Sequence, residues 1–178
     1  DRLDYWSANG FSDGTGTSEP IAFGGLSSTA YNRKLGQYVS AMDNHGTDVA
    51  RLWLLGNDLD KAAPTGSIVL TDENGTPYNG ETTDDEGLGV LPNGDFLLTS
   101  EGHPNAAEGE HEQPKIRIFG IDGRQKDELP VPELFDINCR GQAVHNKSLE
   151  ALTVSPSGHQ IVVGNEYAPK NDSPSGKD

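Results

Sequence analysis

The chain has 178 residues, of which 33% are hydrophobic and 7% aromatic, with a mean hydropathy of −0.62; this fits one domain whose core is thin or shared. Twenty-two Gly and eleven Pro exclude a helix bundle, and no apolar run approaches the roughly 20 residues of a membrane span. Thirteen Lys+Arg against 28 Asp+Glu leave a net charge of −15, which repels phosphate backbones, excludes nucleic acid as a partner and suits a protein that holds hard cations through oxygen ligands. The lone Cys139 allows neither an internal disulfide nor a cysteine-based zinc site. The opening at Asp1, without Met, a basic region or an apolar stretch, suggests a processed or trimmed N-terminus, although an arbitrarily chosen boundary would look the same.

Residues 1–22 form an N-terminal segment. Its glycine-rich GTGTSEP (14–20) has no following Lys and no strand–helix context, so it is a loop and not a phosphate cradle. FGGLSSTAYNRKLGQYVSAMDN (23–44) then reads as a hairpin, followed by strands in ARLWLLGND (50–58) and SIVLTDENGTP (67–77). DDEGLGVLPNGDFLLTSEG (84–102) is a second hairpin, followed by PKIRIFGIDGR (114–124) and the Asp127–Pro132 stretch. SLEALTVSPSGHQIVVGNE (148–166) is a third. The last two share a pattern: Glu, small residue, Leu, any residue, Val, a Pro-x-Gly turn, then an apolar strand ending near Glu. The first is a looser copy closed by Asp43, and the copies start near Ser27, Glu86 and Glu150, a spacing of roughly 60 residues.

Asn93-Gly94 and Ser157-Gly158 supply the positive-φ positions of tight turns, with Pro92 and Pro156 pre-setting the entry. Phe96-Leu97-Leu98 and Ile161-Val162-Val163 are nearly continuous apolar runs, as expected of strands buried on both faces. Four strands per unit at this period predict an all-β fold, a β-propeller of four-stranded blades near 23–83, 84–147 and 148–167. Closure needs about four to eight blades, and about two and a half are present. The expected partner is therefore the C-terminal remainder of the same propeller, from one precursor or a second chain. The polar 168–178 tail reads as an exposed loop or cut end.

FGGLSSTAY, DDEG (84–87), SEG (100–102), PKIRIF (114–119) and SLEALTVSP (148–156) occur in the order found in the phytase-like esterase family, which the chain resembles from about Phe23 to Glu166. The resemblance implies an extracytoplasmic β-propeller, secreted or periplasmic, with an esterase-like or phosphoesterase activity, of which this chain is the N-terminal half. Two positions depart from the family pattern: Ala151 stands for the usual Gly after the repeat glutamate, and Ser28 for Gly in the first copy. Neither removes a carboxylate.

Independently of the family, hairpin symmetry gathers acids. Glu86 and Glu101 flank the Asn93-Gly94 turn evenly, Glu150 and Glu166 centre on Gly158, and Ser27 and Asp43 centre on Leu35, so each pair faces across an open hairpin end. In a propeller these ends surround one mouth of the channel. Asp43, Glu86, Glu101, Glu150 and Glu166 are thus candidate metal ligands, with Asn44, Asp85 and Asn165 as candidate substrate-binding neighbours. All-oxygen donors favour Ca²⁺ or Mg²⁺ over zinc, and Ca²⁺ is the expected ion. The competing reading is that each repeat glutamate caps backbone N–H groups. Against it, paired carboxylates without a cation or shared proton repel.

His45 and His103 each follow a ring acid by two residues and are the candidate catalytic groups, although a loop histidine is more often a plain surface residue. His111-Glu112 lacks the second His of a zincin helix, and Gly25-Leu26-Ser27-Ser28-Thr29 lacks the closing Gly of a nucleophile elbow. The sequence therefore suggests a Ca²⁺-dependent hydrolase acting on a small phosphorylated or ester ligand. The alternative is a non-catalytic propeller that binds a ligand or protein partner at the acidic mouth.

Overall fold

The structure, a computed structural model, describes residues 5–6, 21–43, 46–58, 60, 64–104, 111–137, 141–144 and 146–172. Its regular structure is β-strand apart from 3-10 conformation at Asp60 and a 3-10 turn at Glu133–Phe135. A short pair, β1 (Tyr5–Trp6) with β2 (Ile21–Ala22), precedes the first sheet. Strands β3 (Leu26–Asn32), β4 (Gln37–Met42), β5 (Arg51–Gly56) and β6 (Gly66–Val69) pair antiparallel in chain order. A second antiparallel sheet begins with β7 (Asp85–Val90) and β8 (Phe96–Ser100). After the short pair β9 (His103–Pro104) and β10 (His111–Glu112), it is completed by β11 (Lys115–Phe119) and β12 (Gln125–Leu129). A hairpin of β13 (Leu149–Val154) and β14 (Ile161–Asn165) follows. The described residues contain no helix long and apolar enough to cross a membrane.

The strand expected in 67–77 ends at Val69, because Asp72 accepts hydrogen bonds from the N–H groups of Asn74 and Thr76 and bends the chain into a turn. The fourth strand of the second sheet begins two residues earlier than the expected Asp127.

The three hairpins share their irregularity. Register shifts fall between Leu26 and Ser28, between Asp85 and Leu88, and between Leu149 and Ala151. The first strand of each hairpin thus carries an extra residue opposite its partner: Ser27, the Glu86-Gly87 step, and Glu150. A bulge of this kind raises the local twist and re-aims a side chain. Just beyond it, each hairpin is closed by an acidic residue donating its backbone N–H: Asp43 to Gly25 O (2.6 Å), Glu101 to Asp84 O (3.0 Å) and Glu166 to Ser148 O (2.8 Å).

Apolar alternation explains how the sheets stack. Phe96, Leu98 and Phe119 from one face of the second sheet pack with Val39, Ala41, Leu52 and Leu70 of the first. Leu97 and Ile116 from its other face pack with Leu149 and Leu152 of the third hairpin. The run Phe96-Leu97-Leu98 is therefore buried on both faces, as expected. Met42, Trp53 and Leu55 make a third cluster on the first sheet, where Phe23 meets the Trp53 ring edge-on at 5.2 Å.

Strand β14 departs from the expectation. Val162 is 66% exposed where Leu97, at the matching place in β8, is 1% exposed. The cause is face packing: Leu97 lies against Leu149 and Leu152 of the third hairpin, whereas Val162, on the other face of that hairpin, belongs to none of the core clusters of the described residues. Close stacking of β7 on β13 depends on glycine. A Cβ at Gly87 would lie 2.6 Å from Thr99 Oγ1 and 2.8 Å from the Leu152 backbone nitrogen.

Candidate functional site

The bulges set the site. At Glu86-Gly87 the extra residue would leave an N–H unpaired, and Thr99 Oγ1 accepts it from Gly87 at 2.7 Å. Glu86 is thereby held away from the regular alternation of β7. Its carboxylate joins two overlapping groups of acids. One oxygen each from Asp43, Asp84 and Glu86 lie within 4.8 Å of one another, and so do one each from Glu86, Glu101 and Glu150.

Two oxygens bound to one Ca²⁺ at about 2.4 Å can be no more than about 4.8 Å apart. Both groups meet that limit, and the all-carboxylate donor set is that of a hard ion. Glu86 is common to both groups.

The electrostatics agree with close-packed like charges. Burial pushes the Glu86 carboxyl up to about 8, with the charges of Glu150, Asp43 and Asp84 acting the same way against a hydrogen bond from Ser27. Burial likewise raises Glu101 to about 7, opposed by the backbone N–H of Ser148 and reinforced by Glu150 and Asp84. Glu101 is 1% exposed, and its Oε1 accepts the Ser148 N–H at 2.8 Å. Opposite-charge neighbours do not drive these shifts. A cation placed among the carboxylates would reverse them.

The family model described as "Phytase-like: Esterase-like activity of phytase" matches residues 21–177. The chain belongs to the phytase-like family. Membership points to hydrolase chemistry of the esterase type. No curated protein matches the chain.

Within this phytase-like chain, Asp43, Glu86, Glu101 and Glu150 come together as carboxylates of one region. Glu86 and Glu101 meet without standing directly opposite, since the register pairs Asp85 with Ser100. Glu166 stands outside both groups: its carboxylate takes the Lys147 ammonium at 2.8 and 3.1 Å, and that ammonium also lies 5.2 Å from the Tyr167 ring. Asp85 turns into the interior of the second sheet, 2% exposed. There Thr83 Oγ1 donates to it at 2.6 Å, and burial raises it to about 6 against the pull of Arg117. Arg117 is itself buried, bonded to Thr83 and Glu112 and stacked 4.8 Å from the Tyr78 ring. Asn165 points elsewhere, donating to Tyr167 O and lining an apolar cavity with Ile116, Phe135 and Leu149.

His45 and Asn44 lie outside the described residues, and of His103 only the backbone, in β9, is described. Asp84 is the member that residue-level reading missed. It sat in the DDEG motif one place before the strand, and only the closing bond from Glu101 N to Asp84 O reveals its place beside Glu86.

Proposed function

We propose that this chain is part of an extracytoplasmic, Ca²⁺-dependent hydrolase of phosphoesters or esters, with the acidic group at the open hairpin ends as its cation centre. The observation that carries the reading is the convergence of Asp43, Asp84, Glu86, Glu101 and Glu150, from three different hairpins, with the charge repulsion that follows. Because Glu86 belongs to both groups, two adjacent cation positions sharing that carboxylate are part of the proposal. Bound there, Ca²⁺ would supply Lewis acidity toward a phosphoryl or acyl oxygen and lower the pKa of a coordinated water. The chain's residues fix the ligand geometry: the Ser148 N–H orients Glu101, the Ser27 side chain holds Glu86, and the bulges aim both. The two four-stranded sheets and the third hairpin are read as two and a half blades of a β-propeller, near 23–83, 84–147 and 148–167. The remaining blades are the proposed partner, pairing with the edge of β14 that no described strand covers.

The test is hydrolysis of chromogenic phosphate and acetate esters by the complete natural protein, with and without chelator. Turnover that chelator abolishes and Ca²⁺ restores is the expected result, and Glu86→Gln should lose it. Absence of turnover under every metal condition would leave the ligand-binding propeller as the reading.

A further inference from the structure

The opposite ends of the same three hairpins carry a second feature. Turn residues of the first hairpin, Arg33 and Lys34, line a cavity of about 270 Å³ whose walls include Val90, Pro92, Val154 and Pro156 from the second and third. At about 3.3 Å per residue, the six- or seven-residue first strands of the hairpins put this cavity about 20 Å from the acidic group.

In a chain of net charge −15, Lys115, Arg117, Lys126 and Lys147 all pair with carboxylates. Arg33 and Lys34 carry no ion pair among the described residues, a condition they share with Arg124, which bonds the Glu73 carbonyl, and with Lys170. The platform of Arg33 and Lys34 is fixed. Asn32, fully buried, accepts the N–H groups of Lys34 (2.9 Å) and Leu35 (3.2 Å) on Oδ1 and donates Nδ2 to Gly94 O (2.9 Å) in the neighbouring turn. The Lys34 stem lies on Gly94 so closely that a Cβ there would stand 2.7 Å from its Cγ. Gly94 has φ +91, which further favours glycine. Two adjacent cations on a rigid base, facing proline and valine walls, are pre-organised for an anion with an apolar body. Their combined charge matches a dianion, and the guanidinium fork suits phosphoryl oxygens.

We propose that this turn-end cavity binds the phosphate group of a small organic phosphate, Arg33 and Lys34 taking the dianion and the Val90, Pro92, Val154 and Pro156 wall its apolar body. This site is separate from the cation centre proposed above and does not depend on hydrolysis there.

The experiment is calorimetric titration of the complete natural protein with phenylphosphonate, a non-hydrolysable probe. It is run at fixed ionic strength with chelator present and at about pH 8, where such a group is dianionic. Saturable binding with Kd near 1 mM or tighter is expected, and inorganic phosphate, which cannot use the apolar wall, should bind about tenfold more weakly. The double variant Arg33→Gln/Lys34→Gln should lose about tenfold or more at an unchanged melting temperature, whereas Glu86→Gln should leave binding intact. If the double variant does not fold, Arg33→Gln alone should still weaken binding several-fold, by about 1 kcal/mol or more. The proposal is overturned by the absence of saturable heat, by equal affinity for inorganic phosphate, by binding that survives removal of the cations, or by binding that disappears with Glu86. The last two outcomes place the anion elsewhere. Loss of esterase turnover alone bears only on the cation centre.

Discussion

Glu101 Oε1 accepts the backbone N–H of Ser148 at 2.8 Å, so a carboxylate at the end of the second hairpin is fixed by the chain that enters the third. This bond does two things at once. It satisfies a buried donor between adjacent hairpins, and it aims Glu101 toward Glu86 and Glu150. The capping and cation-binding roles weighed as alternatives for the repeat glutamates are therefore compatible in one residue.

Removing that acceptor should separate the two roles. Glu101→Ala leaves the Ser148 N–H buried without its partner and should cost about 1–3 kcal/mol in chemical denaturation. Glu101→Gln keeps an acceptor and removes a repelling charge. With chelator present above about pH 7 it should be far less destabilising than the alanine, while its gain in stability from Ca²⁺ should shrink. Equal losses for both variants would mean that the hydrogen bond is not the relevant contact.

The raised carboxyls make stability fall with pH in the absence of a cation. Glu86 ionises near 4.5 when unfolded and at about 8 when folded, and Glu101 moves from 4.5 to about 7. The folded state then holds more protons than the unfolded one across this window. The stability they contribute is complete below about pH 4.5 and is lost progressively as pH rises to about 8. Melting curves in chelator should show this decline, and Glu86→Gln should flatten it. Excess Ca²⁺ should raise the melting temperature most at the alkaline end, because its ligands must be deprotonated. A chelator-independent melting curve at pH 8 would remove the cation centre.

Gly87 should tolerate no side chain. In Gly87→Ala the new methyl would meet Thr99 Oγ1 at 2.6 Å and the backbone of Ala151 and Leu152 at 2.9 and 2.8 Å. Backbone cannot yield as a flexible side chain can, so a loss of about 1–3 kcal/mol is expected. Spreading β7 from β13 should also weaken Ca²⁺ binding, since Glu86 and Glu150 sit on those strands. Thermal melts with and without Ca²⁺ read both effects.

Arg117→Met should leave Asp85 buried without its balancing charge, at a cost of about 3–5 kcal/mol near neutral pH. Asp85 already titrates at about 6 with Arg117 beside it, and losing the cation moves it further up. The variant should therefore recover part of its stability as pH falls and Asp85 takes a proton. Urea midpoints at about pH 5 and pH 7 compare the two states. A loss that does not change with pH would place the cost in the lost Tyr78 stacking instead.

The sequence by itself determined the all-β class, the hairpins and the meeting of acids from separate copies. Those follow from local rules: Asn93-Gly94 and Ser157-Gly158 turn the chain, and Phe96-Leu97-Leu98 alternates faces between two neighbouring cores. Which carboxylates meet was decided only in three dimensions. Even spacing about a turn assumes one residue opposite one residue, and the bulges at Ser27, Glu86-Gly87 and Glu150 break that count. Glu86 is thus brought to Glu101 and to Asp84, and Asp85 is turned inward to Thr83 and the charge of Arg117. Glu166 is matched by pattern to Glu101, yet Lys147 lies close enough to claim its carboxylate. Such pairings depend on distances between residues far apart in the chain, and no periodicity along it encodes them.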